Sequence, residues 1–121
     1  MRRKVYLIGI RPMNTTANIS TSICKGVLEF FILATLKNGP KYPREIIEEL
    51  NVYGLNLVEG TLYPLFLRLY KNELVQYEWV EAAGHPRKYY TLSKKGIEAL
   101  EQYEKEWKTL HKVLMKIRGV K

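Results

Sequence analysis

The chain has 121 residues, 46% of them hydrophobic, and a formal net charge of +8 at pH 7. This length predicts one domain, and the hydrophobic fraction is too high for a disordered chain. So basic a composition is typical of a protein that binds nucleic acid or an anionic membrane, although surface charge can also serve solubility alone.

Residue types that carry catalysis or bind metals are sparse. All twelve acidic residues are Glu, and the only cysteine is Cys24. There is no Gly-rich phosphate loop, no Cys/His cluster and no Ser/His/Asp set, so we expect no enzyme, no cofactor and no metal site. A lone cysteine forms no internal disulfide, which favours a cytoplasmic location. No apolar segment is long enough to span a membrane, so we expect no membrane partner. We interpret Cys24 as a small buried hydrophobe; a sensor thiol beside Lys25 is the alternative.

Residues 1–19 are predicted to be a flexible or strand-like extension. Three cations, Arg2, Arg3 and Lys4, precede the apolar run 5–10, as they would in a secretory signal. This run of six residues ends at Arg11 and is shorter than the apolar core of such a signal. Met13 is an alternative start of translation.

The first predicted helix is apolar nearly all round. A hydroxyl side chain within residues 20–22 can cap its start, and Gly39-Pro40 ends it near Asn38. Its centre, V-L-E-F-F-I-L-A-T-L, must be covered on more than one side. In so short a chain, a second subunit would supply the additional cover.

A second, short helix is predicted to begin at Pro43, a residue suited to a first turn. Ile46, Ile47 and Leu50 share its inner face, and its glutamates face outward. Residues 51–56, with Gly54, make the following turn.

The segment Val58–Leu74 carries two helical stripes. Its inner face is apolar and consists of Leu62, Leu65, Phe66 and Leu69. Its outer face holds two cations and no acid, and consists of Thr61, Pro64, Arg68 and Lys71. Gly60, in the first turn, allows a close approach of backbone or phosphate. A short helix of this kind is suited to reading a major groove; an ordinary surface helix with solvated cations is the alternative.

Two short strands follow, Leu74–Glu81 and Arg87–Leu92, rich in Val, Tyr and Trp. The sequence predicts a five-residue hairpin loop, Ala82–Pro86, that contains Gly84, and we interpret His85 as a polar loop residue rather than a ligand. Cations and tyrosines lie just past the tip. The pattern predicts a mainly α fold with a small β-hairpin, a winged helix-turn-helix followed by a long C-terminal dimerisation helix.

That last helix is predicted to begin after a Ser93 cap and to end near Arg118, before Gly119. Its apolar residues are spaced 3, 4, 3, 4 and 3, as in a heptad seam, and they are Leu100, Tyr103, Trp107, Leu110, Leu114 and Ile117. The seam could pack on the rest of the chain, but together with the apolar first helix it favours a homodimer. The predicted division is therefore extension 1–19, DNA-binding unit 20–92 and dimerisation helix 93–121.

These motifs resemble the PadR family of transcriptional regulators, of the short type with one C-terminal helix. The resemblance runs from about Lys25 to Leu114 and is strongest in G-T-L-Y-P and R-K-Y-Y-T-L. It implies a homodimeric winged-helix repressor that binds a pseudo-palindromic operator. In ligand-responsive members, flat aromatic compounds lie at the dimer interface against a tryptophan of the last helix, and Trp107 matches that position. With it we expect Ile23, Phe30 and Phe31 to line such a site.

Two departures from the family pattern stand out. A small polar residue is usual where this chain has Val58, and Gly-Tyr is usual where it has Pro43-Arg44. Arg44 is expected to replace that tyrosine as a phosphate contact. The residues expected at the DNA are Lys41, Tyr42, Arg44, Gly60, Thr61, Tyr63, Pro64, Arg68, Lys71, Arg87, Lys88 and Tyr89.

Two functions remain open on the sequence. The first is a DNA-binding repressor relieved by a planar aromatic ligand or another signal. The second is a winged-helix protein–protein module that docks an acidic partner. The first requires a steep salt dependence and a preference for one duplex sequence.

Overall fold

The structure is a computed structural model, and it describes residues 27–119. The described part of the first helix, α1, covers residues 27–36. It is followed by α2 (Pro43–Val52), α3 (Glu59–Lys71), β1 (Val75–Ala82), β2 (His85–Leu92) and α4 (Lys94–Ile117). This order confirms the predicted fold class, mainly helical with one antiparallel hairpin and a long last helix. The predicted extension, the first-helix cap, Ile23 and Cys24 lie outside the described residues.

The core lies where the first three helices meet the base of the hairpin. The inner faces predicted for α2 and α3 are confirmed, except that Leu65 is only partly buried. Phe66 is buried and packs against Tyr90 of β2, with ring centroids 4.7 Å apart. The buried apolar residues are Leu28, Ile32, Leu33, Leu36, Ile46, Ile47, Leu50, Leu62, Phe66, Leu69, Val75, Tyr90 and Leu100.

Local sequence signals set the helix ends. Gly39 has a φ of +133°, which turns the chain after α1, and Pro43 occupies the first turn of α2 as predicted. A carboxylate oxygen of Glu45 accepts a hydrogen bond from the backbone N–H of Tyr42 at 3.1 Å, so α2 is capped by its own third residue.

The hairpin turn is shorter than predicted. The strands pair as far as Ala82 with His85, leaving a two-residue turn of Ala83 and Gly84, whose φ angles are +50° and +80°. Positive φ at both positions is what a two-residue type I′ turn requires, and Ala83 adopts it despite its side chain. The predicted five-residue loop is therefore wrong, and His85 is the first residue of β2 rather than a loop residue.

Ser93 caps α4 as predicted. Its hydroxyl accepts a hydrogen bond from the backbone N–H of Gly96 at 2.9 Å and donates one to the carbonyl of Glu73 at 2.6 Å. Since the backbone N–H of Ser93 also donates to the carbonyl of Leu74, at 3.1 Å, the start of α4 is tied to the segment between α3 and β1. Past Tyr103 most side chains of α4 are exposed, so its second half makes little contact with the described part of the chain.

Candidate nucleic-acid interface

Helix α3, called the reading helix below, exposes one complete side. It buries Leu62, Phe66 and Leu69. Apart from the adjoining residues and the nearby backbone of the helix itself, no atom lies within 4 Å of where a side chain of Gly60 would begin. Leu67 lies on the exposed side although the sequence stripes left it out. The predicted residues on this side that are exposed are Gly60, Thr61, Tyr63, Pro64, Arg68 and Lys71.

The start of the reading helix holds a small polar network around Glu59. One carboxylate oxygen of Glu59 accepts from the guanidinium of Arg44 at 3.2 Å, and the other accepts from the Tyr63 hydroxyl at 3.1 Å. Arg44 also lies 3.6 Å from Glu48. Slight burial of the hydroxyl, and then its hydrogen bond to Glu59, raise the pKa of Tyr63 above its ordinary value. Arg44 is therefore held beside the first turn of the reading helix by acids on two helices.

A second acid meets the reading helix nearer its other end. Arg68 donates to the carboxylate of Glu29 on α1, which lies 39 positions earlier. Burial, followed by the negative charge of Glu29, raises the pKa of the nearby Tyr103 on α4. The predicted outer stripe, which contains no acid of its own, thus meets Glu29 in the fold, and of its two cations Arg68 is paired. Lys71 makes no ion pair within residues 27–119.

We call the hairpin formed by β1 and β2 the wing. Aromatic rings position its two cations, Arg87 and Lys88. The guanidinium of Arg87 lies 4.4 Å from the ring centre of Tyr42, and that ring meets Tyr89 edge to face at 5.3 Å. The ammonium of Lys88 lies 4.5 Å from the ring of Tyr77.

The ammonium of Lys88 also lies 5.4 Å from the ring of Trp79, its partner across the wing. Both wing cations are half-buried. Their contacts with the rings restrict the motion of the side chains, and because the rings carry no net charge, the cations are not neutralised.

Between the reading helix, the wing and the start of α2 lies a cleft of about 530 Å³. Two cations and no carboxylate line it, and most of its wall is aromatic. The cleft is therefore positively charged, with ring faces on both sides. Its lining residues are Tyr42, Pro43, Tyr63, Phe66, Leu67, Tyr70, Tyr77, Trp79, Pro86, Arg87, Lys88 and Tyr90.

Lys41 immediately precedes two residues that line this cleft but does not line it itself. Its backbone exchanges two hydrogen bonds with Tyr90, at 3.2 Å and 2.8 Å, which adds a short bridge to the edge of β2. Its ammonium pairs with Glu49 at 2.6 Å, and both side chains are largely buried. Lys41 thus joins the start of α2 to the wing.

The predicted seam of α4 has a first part that is buried in the chain and a second part that is exposed. Leu100 is buried in the core and Tyr103 is half-buried against α1, where its ring stacks on Phe30 at 5.5 Å. Phe31 is also half-buried and contacts Phe30, with centroids 5.8 Å apart. The remaining seam side chains are between 46% and 77% exposed, and they are Trp107, Leu110, Leu114 and Ile117.

Sequence reasoning missed the roles of Glu59, Glu29 and Trp79. The spacing of Glu59 and Tyr63, four positions apart on one helix, was a usable signal. The Trp79–Lys88 pair could be found only once the turn length was known, since that length sets the register.

Within residues 27–119, no group of three or more His, Cys or carboxylate side chains could hold a metal ion. None of the helices in this described part is long and apolar enough to cross a membrane.

Comparisons with known proteins identify the family and the solved structures that this chain resembles. The family described as "Transcriptional regulator PadR-like family" matches residues 32–102. A PadR-like transcription factor structure from Bacteroides fragilis is 44% identical, with a TM-score of 0.70, over 83% of this chain and 98% of that chain. A PadR family regulator from Eggerthella lenta is 28% identical, with a TM-score of 0.77, over 84% and 90% of the two chains.

Bacillus subtilis PadR, whose structure was solved in complex with operator DNA, shares the fold at 20% identity and a TM-score of 0.58. That likeness covers 64% of this chain and 45% of that chain. Because the family match spans more than half of the 121 residues and agrees with the motifs and the winged-helix fold, the chain belongs to the PadR-like family of transcriptional regulators.

Proposed function

We propose that the protein is a transcriptional repressor that binds a pseudo-palindromic operator in duplex DNA as a homodimer. The observation that carries this proposal is the carboxylate-free cleft between the exposed reading helix and the two wing cations. A DNA strand carries regularly spaced phosphates, and such a cleft can follow one strand while the helix enters the adjacent major groove. The Bacillus subtilis PadR structure, which contains operator DNA, supports this use of the fold.

The contacts divide by chemistry. In this proposal Gly60, Thr61, Tyr63 and Pro64 approach base edges, since N-terminal residues of a reading helix do so. Phosphates are bound by three cations that make no ion pair within residues 27–119: Lys71 near the helix, and Arg87 and Lys88 on the wing, where Tyr42 and Tyr89 support them.

Three of the predicted cations are paired with carboxylates and take a different part in this proposal. Arg68 pairs with Glu29 and Lys41 with Glu49, so they position α1 and the wing rather than neutralise phosphate. Arg44 pairs with Glu59 and Glu48, so it fixes the first turn of the reading helix against α2.

The homodimer forms through α4 and α1. Residues 93–121 are the dimerisation helix, residues 20–92 the DNA-binding unit and residues 1–19 an extension. Four exposed seam residues gain cover in the dimer, and two-fold symmetry brings the two reading helices to successive major grooves, about 34 Å apart.

Replacing both wing cations, Arg87→Ala with Lys88→Ala, is expected to weaken binding to every duplex sequence. The logarithm of the affinity falls as the logarithm of the salt concentration rises, and each lost phosphate contact makes this fall less steep by about 0.9. The measurement is a titration of labelled duplex between 50 and 200 mM salt, starting with the DNA just upstream of the protein's own reading frame.

The matched control is Lys105→Ala with Lys108→Ala, which removes the same charge from exposed positions of α4 outside the seam. It is expected to leave the slope close to that of the parent. A wing variant that kept the parental slope would contradict the wing assignment. A parent protein with no salt-dependent, sequence-preferring binding would favour the protein–protein module instead.

We further propose that a planar aromatic effector binds between the two Trp107 rings of the dimer and relieves repression. Trp107 is 46% exposed, and its large flat ring fills a coiled-coil position less well than Leu or Ile would. Phe30 and Phe31 lie on the helix that packs beside it, and Ile23 is the fourth predicted member. A bound ligand would change the angle between the reading helices and disfavour the operator geometry.

Trp107→Ala is expected to abolish binding of planar dyes, because the ring that stacks on the ligand is lost. Stacking contributes on the order of 1 kcal/mol per ring beyond the buried area. Tryptophan fluorescence of the parent and of Trp107→Ala, titrated with the dyes, measures this, and Trp79 on the wing serves as the internal control. Equal dye binding by both proteins would rule out the sandwich. A Trp107→Ala variant that no longer dimerises would make Trp107 a dimer anchor.

A further inference from the structure

Val58 stands at the N-cap of the reading helix without capping it. Its backbone is extended (φ −112°, ψ 154°), and no side chain at this position accepts a hydrogen bond from the first turn. Ser, Thr, Asp or Asn would do so and would stabilise the helix. The side chain of Val58 is instead 67% exposed. An apolar residue here leaves the helix start without a side-chain cap and exposes two methyl groups that an apolar group of a partner could cover.

The backbone that presents Val58 is rigidly held. The side-chain amide of Asn51 donates to the carbonyl of Leu57 at 3.0 Å and accepts from the N–H of Leu57 at 2.8 Å. The carbonyl of Val58 accepts from the N–H of Thr61 at 3.1 Å, as the first bond of the helix. Val58 therefore lies between two fixed points, and its outward direction is determined before any partner arrives.

None of the neighbours of Val58 in the first turn of the reading helix offers a purely apolar side chain to a partner. Both carboxylate oxygens of Glu59 are occupied by Arg44 and Tyr63. Gly60 has no side chain, and Thr61 is exposed but carries a hydroxyl. Among residues 58–61, Val58 alone presents a side chain that can neither donate nor accept a hydrogen bond.

We propose that Val58 recognises the 5-methyl group of one thymine in each half-site of the operator. This inference rests on the proposed function, because it requires the start of the reading helix to reach the major groove. In that groove the other base-edge features are hydrogen-bond donors and acceptors, and the thymine methyl is the apolar one. A valine, which cannot pair with donors or acceptors, discriminates through that methyl.

The test is a uracil scan of the operator, since deoxyuridine differs from thymidine only by that methyl group. With the parent protein, one thymine per half-site is expected to show a loss of about fourfold on replacement, the factor for burying one methyl-sized group. Replacement in both half-sites should give roughly fifteenfold. With Val58→Ala, the penalty at this position should fall below about twofold while penalties elsewhere are unchanged.

Two variants serve as controls. Val52→Ala removes a valine that is 82% exposed at the end of α2, and it should retain the parental uracil pattern. Val58→Ser gives the helix a capping side chain, so it should unfold at higher urea than the parent while losing the same thymine preference as Val58→Ala. That combination separates recognition from folding.

The outcomes distinguish the inference from the proposed function. If the parent shows no salt-dependent binding to a preferred duplex, the proposed function itself fails. If the parent binds a preferred operator but every uracil penalty persists unchanged in Val58→Ala, the thymine assignment is overturned and the proposed function stands. A penalty that instead disappears in Thr61→Ser would assign the methyl contact to Thr61 and likewise overturn it.

Discussion

Gly96→Ala is expected to lower the free energy of unfolding by about 3 kcal/mol, the upper end of the range for overpacking a close contact. A Cβ on Gly96 would overlap the backbone carbonyl oxygen of Leu74, and it would lie 3.3 Å from a methyl carbon of Leu92. The carbonyl cannot move freely, because it accepts the hydrogen bond from the N–H of Ser93. The clash therefore exceeds the gain of up to about 1 kcal/mol that alanine brings to a helix.

The matched control is Gly60→Ala, also a glycine within a helix. Apart from the adjoining residues and the nearby helix backbone, no atom lies within 4 Å of the added Cβ, and Gly60 has no positive φ. This variant should be as stable as the parent or more so, by up to about 1 kcal/mol. Urea denaturation of all three proteins measures the difference. If Gly96→Ala matched Gly60→Ala in stability, the close packing of α4 on the segment after the reading helix would be wrong.

Leu114→Glu is expected to raise the dissociation constant of the dimer roughly a hundredfold, equivalent to about 3 kcal/mol. In the proposed dimer this substitution places an unpaired carboxylate in an apolar seam, once from each subunit. Leu114 is 47% exposed in the single chain, so folding of the subunit should be unaffected. Light scattering over a concentration series measures the mass, and circular dichroism checks that the helices are retained.

Lys105→Gln is the control for that experiment. It changes the net charge by the same single unit but lies at an exposed position of α4 opposite the seam. It should retain both the dimer and the affinity for duplex. A Leu114→Glu protein that stayed dimeric at the same concentrations would move the interface to another surface. One that became monomeric should also lose the two-site geometry of operator binding, and with it most of its affinity.

Features that depend on a few neighbouring residues could be predicted from the sequence. The period of Leu62, Phe66 and Leu69 identified the buried face of the reading helix, because burial of one helical face repeats every three to four positions. Pro43 and Ser93 marked helix starts, since their effects are local to one turn. Together with the G-T-L-Y-P and R-K-Y-Y-T-L motifs, these signals also indicated the family.

The length of the hairpin turn is only partly determined by the residues of the turn itself. Ala83 and Gly84 form a weaker turn signature than Asn-Gly would, and Pro86 looks like a loop residue although it pairs with Glu81 in the hairpin. The longer loop predicted from the sequence would have removed the pairing that brings Trp79 beside Lys88. A difference of three residues in a turn thus changes the surroundings of a proposed phosphate contact.

The sequence by itself determined the order of the elements, most of the buried faces of α2 and α3, the starts of α2 and α4, and the family. Only the tertiary structure decided which charges remain available to a ligand. Arg68 meets Glu29 from 39 positions away, and Arg44 meets Glu59 from 15 positions away. Such surface pairs each contribute little to stability and recur with no period, so no pattern in the chain announces them. They form because the packing of apolar faces happens to bring those side chains together.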